Sequence, residues 1–159
     1  MGLDQYLYAN KHAFGNDYPE ERWQKMNSDF IKFKEAIGED VKYLDSTFGG
    51  SISVQMKIGY WRKANAIHQW FVDNCQNGED DCREANVHRE QLEELLGTVK
   101  EVLADHGKAE ELLPTQEGFF YGSLDYDEYY YSCLEDTVKI LENALSIPNE
   151  WDFSYKSSW

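Results

Sequence analysis

The stretch from Ile52 to Phe71 restricts how this chain can fold more than any other, because the apolar period changes inside it. Ile52, Val54, Met56 and Ile58 alternate with Ser53, Gln55 and Lys57, the period of a half-buried strand. From Gly59 onward the spacing becomes helical, with Tyr60, Ala64, Ile67 and Phe71 three and four residues apart. A strand and an amphipathic helix that follow one another so closely each need a partner surface, and a helix packed on a small sheet supplies both. The pattern predicts a strand over 52–58 and a helix over 59–74.

The rest of the chain extends this scheme. Leu3 to Ala9 is short and aromatic and reads as a strand. A helix begins near Tyr18 and Pro19, with Glu20 and Glu21 at its positive end, and Trp23, Met26, Phe30, Phe33 and Ile37 form its stripe before Gly38 stops it. Gly49-Gly50 breaks the chain. A third helix spans about 87–105 on Leu92, Leu95, Leu96, Val99, Val102 and Leu103, with Gly107 as its cap and a further turn at 110–113 before Pro114. An aromatic loop covers 115–123. A fourth helix over 125–146 carries Tyr131, Leu134, Val138, Leu141 and Leu145 and ends before Pro148. Trp151, Phe153 and Tyr155 alternate with polar residues as a third strand. The prediction is one α+β domain over 1–159, with about four helices packed on a small antiparallel sheet of two to three short strands.

Charge narrows the partners. Residues 1–63 hold nine acids and nine bases, whereas 64–159 hold 21 acids and six bases and so carry the whole net charge of −15. A field of that sign repels duplex nucleic acid, so no direct nucleic-acid binding is expected. No run is long enough to cross a membrane, and the first residues lack a basic and then apolar leader. Cys75, Cys82 and Cys133 are odd in number and follow no framework spacing, which fits reduced thiols. These features predict a cytoplasmic protein with no membrane partner.

Candidate site residues concentrate on the predicted second helix. Arg62 can clamp an anion, Asn65 and Gln69 can read a polar edge, His68 can donate a hydrogen bond, and Trp61 can stack on a ring. Phe119 and Tyr121, from the aromatic loop, would supply the opposite wall. The plainer alternative places Trp61 in the core and gives the polar residues structural bonds to neighbouring strands. Asp73, Asn77, Gly78 and Glu84 echo positions one, five, six and twelve of an EF-hand loop, but Cys75 and Asp80 occupy positions that disfavour it. Cys75, Cys82 and His88 match no common zinc spacing. The sequence therefore predicts no metal site, no cofactor and no catalytic residue, and no phosphate loop, nucleophile elbow or dinucleotide fingerprint is present.

The opening Met1-Gly2-Leu3-Asp4-Gln5-Tyr6-Leu7-Tyr8, the run Tyr60-Trp61-Arg62-Lys63-Ala64-Asn65-Ala66-Ile67-His68, and the segment Leu113 to Ser123 resemble a family of small bacteriophage and prophage proteins. Gln5 departs from the Met of that opening. The resemblance spans most of the chain and implies a setting, a phage product in the cytoplasm of a bacterial host, and no residue roles. By analogy with that setting, the expected function is capture of a small, anionic, nucleotide-like aromatic ligand, which would counter host defence. The alternatives are an acidic decoy for a host nucleic-acid-handling protein and a small enzyme. Exposed aromatics also predict a homo-oligomer.

Overall fold

A computed structural model describes residues 2–15, 21–38, 50–118 and 121–159. The expected helix start at Tyr18–Pro19 and the Gly49 break lie outside the described residues. Contacts divide the chain into two compact units, residues 1–9 with 56–159, and residues 10–55. The boundaries fall inside two strands, β1 (Asp4–Phe14) and β2 (Ser51–Arg62).

The smaller unit holds α1 (Glu21–Ile37) and the adjoining strand ends. Ala13, Phe30 and Ile52 form its buried cluster, with Phe33 and Val54 packed against it. Lys11 pairs with Asp29 at 2.8 Å, and His12 Nδ1 lies 2.8 Å from Ser53 Oγ.

In the larger unit the elements after β2 are α2 (Asn65–Cys75), β3 (Ala85–Val87), α3 (Arg89–Ala104), the single turn α4 (Ala109–Leu112), α5 (Glu128–Ser146) and β4 (Asp152–Ser158). The strands form one sheet in the order β2-β1-β4-β3. β3 runs antiparallel to β4, with Ala85 opposite Tyr155, Asn86 opposite Ser154 and Val87 opposite Phe153. The α+β architecture matches the sequence reading; the described residues hold four strands where two to three were expected, and five helices counting the one-turn α4. β3 has only three residues, too few for a period to register.

Alternation sorts the sheet's faces. Gln5, Leu7 and Ala9 of β1 and Phe153, Tyr155 and Ser157 of β4 are buried, and Trp61 of β2 joins the same core as Ile67, Phe71, Leu92, Leu95, Val99, Leu134 and Leu141. α3 packs along α5, and Phe71 of α2 stacks on Tyr155 with ring centroids 4.0 Å apart. Gly59 is required by close approach: a Cβ there would lie 2.6 Å from Ile140 Cγ2 and 3.1 Å from Leu7 Cβ.

One boundary differs from expectation in a way that matters. Gly59 to Arg62 belong to β2, not to the helix, which begins only at Asn65. Aromatic residues favour strands, and Tyr60-Trp61-Arg62 satisfies alternation as well as helical spacing. The chain then turns at Lys63, which adopts a positive φ of 55° and donates its N–H to Leu3 C=O at 2.7 Å. The strand thus places Trp61 inward and sends Tyr60 and Arg62 to the outer face. No described helix is long and apolar enough to cross a membrane.

Candidate functional site

The residues singled out on α2 and β2 separate into two environments. Trp61 is 3% exposed, packs on Phe71, and donates Nε1–H to Thr137 Oγ1 at 2.8 Å, so its ring is a core element. Asn65, at the start of α2, is buried and fully engaged. Its Nδ2 donates to Tyr121 C=O at 3.2 Å and Ser123 C=O at 2.9 Å, while its Oδ1 accepts the Gln116 N–H at 3.2 Å. Asn65 therefore ties the described part of the aromatic loop to the helix. Gln69 donates to Asp73 at 2.8 Å on the solvent side of α2. Phe119 lies outside the described residues.

His68 is wholly buried at the centre of a polar chain. Gln5 Nε2 donates to Ala64 C=O at 3.2 Å, which aims Gln5 Oε1 at the Tyr155 hydroxyl, and that hydroxyl donates to it at 3.1 Å. His68 Nδ1 lies 2.7 Å from the same hydroxyl oxygen, and its Nε2 lies 2.9 Å from Asp80 Oδ2. Asp80 also accepts from the Tyr121 hydroxyl on Oδ2 and from Trp159 Nε1–H at 3.0 Å on Oδ1. Both ring nitrogens of His68 are thus engaged, Nδ1 with Tyr155 and Nε2 with Asp80.

The electrostatics follow from these bonds. Burial by itself would push the Asp80 carboxyl up, but the hydrogen bonds from Tyr121, His68 and Trp159 outweigh it and hold the group below its ordinary value. Burial and the bond to Asp80 raise the Tyr121 hydroxyl well above the usual phenol range. Burial also raises the Cys75 thiol to about 12, so it stays protonated and unreactive at neutral pH. Every polar atom of the His68 ring has a partner, which leaves the imidazole no capacity to touch a ligand.

A small hollow lies at the start of α2 between Lys63, Asn65, Ser123, Asp125, Asp127 and Tyr129. Asn65 is already engaged there, and Asp125 and Asp127 oppose Lys63, so its field does not favour an anion. The EF-hand echo fares similarly. Glu84 accepts from Ser154 Oγ at 2.5 Å, Asn77 and Gly78 form a positive-φ turn, and no group of three or more His, Cys, Asp or Glu among the described residues is placed to hold a metal ion.

Arg62 belongs to the other environment. It is exposed on the outer face of β2 beside Tyr60, and that face carries a row of aromatic rings. Tyr6 and Tyr8 of β1 lie with ring centroids 6.2 Å apart, and Tyr60 sits 5.6 Å from Tyr6. Lys57 Nζ stands 4.7 Å over the Tyr6 ring, and Tyr60 donates to Asp4 Oδ1 at 2.5 Å, which fixes its ring. Tyr129 of α5 donates to Arg62 C=O at 2.5 Å. Tyr60 and Tyr129 remain 48% and 52% exposed, far more than their size would leave in a covered position. Sequence reasoning missed Tyr6, Tyr8, Lys57 and Tyr60 as a set. The signal was present as the i, i+2 spacing of Tyr6 and Tyr8 in β1, but their union with β2 depends on strand pairing. The chain has no match among protein-family models, curated proteins or solved structures.

Proposed function

We infer that this chain is a binding protein for an anionic, ring-bearing ligand of the nucleotide class, and that it acts by capture rather than by turnover. The observation that supports this reading is the open row of Tyr6, Tyr8 and Tyr60 with the Lys57 ammonium and the exposed Arg62 guanidinium beside it. Flat rings on a sheet face stack on bases irrespective of their sequence, and the two cations answer a phosphate. In the phage setting that the sequence suggests, such capture withdraws a nucleotide signal from host defence. The row replaces the α2 face as the proposed contact surface, because Trp61, Asn65 and His68 are already committed inside the fold.

A thermal-shift panel of mono-, di- and cyclic nucleotides tests the reading. Ligand at about a hundred times its Kd should add about 2.7 kcal/mol of stability, and Arg62→Ala should remove the rise. Bound nucleotide should be recovered intact after heat denaturation. If no nucleotide in the panel raises the melting temperature, the reading fails. A salt-sensitive pull-down of a nucleic-acid-handling protein would then favour the acidic decoy. Exposed carboxylates of α3 and α5, Glu93, Glu94, Glu135 and Asp136 among them, are consistent with that alternative.

A further inference from the structure

α2 carries a second surface, apart from the tyrosine row, where Ala66 and Trp70 meet the edge of the core. Ala66, Gln69, Trp70, Asp73 and Asn74 recur at helical spacing and form one wall of an open cleft of about 210 Å³, whose other wall is the segment 112–116. Trp70 is half-buried and its ring is held at right angles to Phe71, with centroids 5.4 Å apart, so it forms a fixed flat wall.

The polar groups around this wall are oriented by bonds that each use one of the two N–H groups of a side-chain amide. Gln69 Nε2 donates to Asp73 Oδ1 at 2.8 Å, and Asn74 Nδ2 donates to Trp70 C=O at 2.8 Å. Gln69 Oε1, Asp73 Oδ2 and Asn74 Oδ1 remain as acceptors with no partner among the described residues. The backbone N–H of Gln116 is held by Asn65, which leaves its side-chain amide unengaged. No Lys, Arg or His lines the cleft. A fixed indole beside one carboxylate, in a lining with no cation to neutralise it, favours a flat ligand that brings positive charge and N–H donors.

We propose that this cleft binds a planar ring bearing an amidinium, guanidinium or amino group, with the ring against Trp70 and its N–H groups on Asp73 and Gln69. The site is independent of the tyrosine row and takes a ligand of the opposite charge. Benzamidine is the probe, titrated into the full ¹⁵N-labelled chain. The Trp70 indole N–H, assigned by its loss in Trp70→Phe, should shift saturably. Asp73→Asn should weaken binding by about tenfold, as expected for removal of a charge-assisted bond. Benzoate, the same ring with the opposite charge, should leave the signal in place, and Glu135→Gln on α5 should leave benzamidine affinity unchanged. The proposal is overturned if the Trp70 signal does not move, or if Asp73→Asn binds as tightly as the parent. It is equally overturned if Glu135→Gln costs as much as Asp73→Asn, since the cation would then be following the net charge of −15 rather than a site.

Discussion

The polar chain around His68 and the tyrosine row on the outer sheet face are both built on tyrosines, yet they differ in what their side chains have left to offer. In the first, Gln5, His68, Tyr155, Asp80 and Tyr121 exchange hydrogen bonds with one another, and the wholly buried members have no surface. In the second, the ring of Tyr60 is half in solvent, and a Lys and an Arg stand beside the row. A side chain with every donor and acceptor engaged in the interior supports the fold; a fixed side chain with an open face is equipped to bind. The comparison teaches that the chemistry of a residue names what it can do, while its unused valences decide whether it can do it to another molecule.

The largest expected effect comes from His68→Ala. The substitution leaves a cavity and removes one partner each from the Asp80 carboxylate and Tyr155 Oη, three losses at one buried point. Urea unfolding should show a destabilisation of about 3–5 kcal/mol. Nucleotide capture by whatever protein remains folded should be unaltered per folded molecule. A variant that folds as well as the parent but no longer responds to nucleotide would reverse the comparison, making the chain the site and the row the scaffold.

Asp80→Asn comes next and carries a definite pH signature. The Asp80 carboxyl is lower in the folded chain than its ordinary value of about 3.9. Its stabilisation is therefore fully present above that value and is lost as pH falls through the folded-state pKa. Because Asp80 is 23% exposed, the variant should cost about 2 kcal/mol at neutral pH, less than a fully buried pair would. Denaturation curves at neutral pH and in strong acid should differ between parent and variant only at neutral pH. A gap that widens as the solution is acidified would show that Asp80 does not stabilise as a carboxylate.

Much of this architecture was legible in the residues. The stripes on α3 and α5 carry periods that survive any context, because burial on one face enforces them, whereas the alternation read in β2 breaks in the middle, where Gln55, Met56 and Lys57 are all exposed. The boundary between β2 and α2 was not legible. Tyr60-Trp61-Arg62 fits both periods, and the choice is made by Lys63, whose positive φ and bond to Leu3 C=O end the strand. That single shift moves Arg62 to the outer sheet face and Trp61 into the core. The site was legible only by residue type. Asp80 and Tyr155 lie 12 and 87 positions from His68, and neither pairing leaves a trace in local spacing. The tyrosine row likewise joins residue 6 to residue 60 through strand pairing alone.

The smallest stability effect and the sharpest functional one should coincide in Tyr60→Ala. Tyr60 is half in water, and its removal deletes one bond to Asp4 and one side of a ring contact with Tyr6. Surface changes of that kind stay within about 0.5–1 kcal/mol of the parent. Loss of a stacking ring, by contrast, costs a base-binding surface about 1–3 kcal/mol, which is roughly a tenfold or greater rise in Kd. Isothermal titration against the best nucleotide from the thermal panel, paired with a melt of the same sample, separates the two numbers. A Tyr60→Ala protein that melts well below the parent would assign the row to the fold. One that melts like the parent and binds like it would leave the row without a ligand. Only near-parental melting combined with weakened binding keeps the two regions in the roles their hydrogen bonds assign.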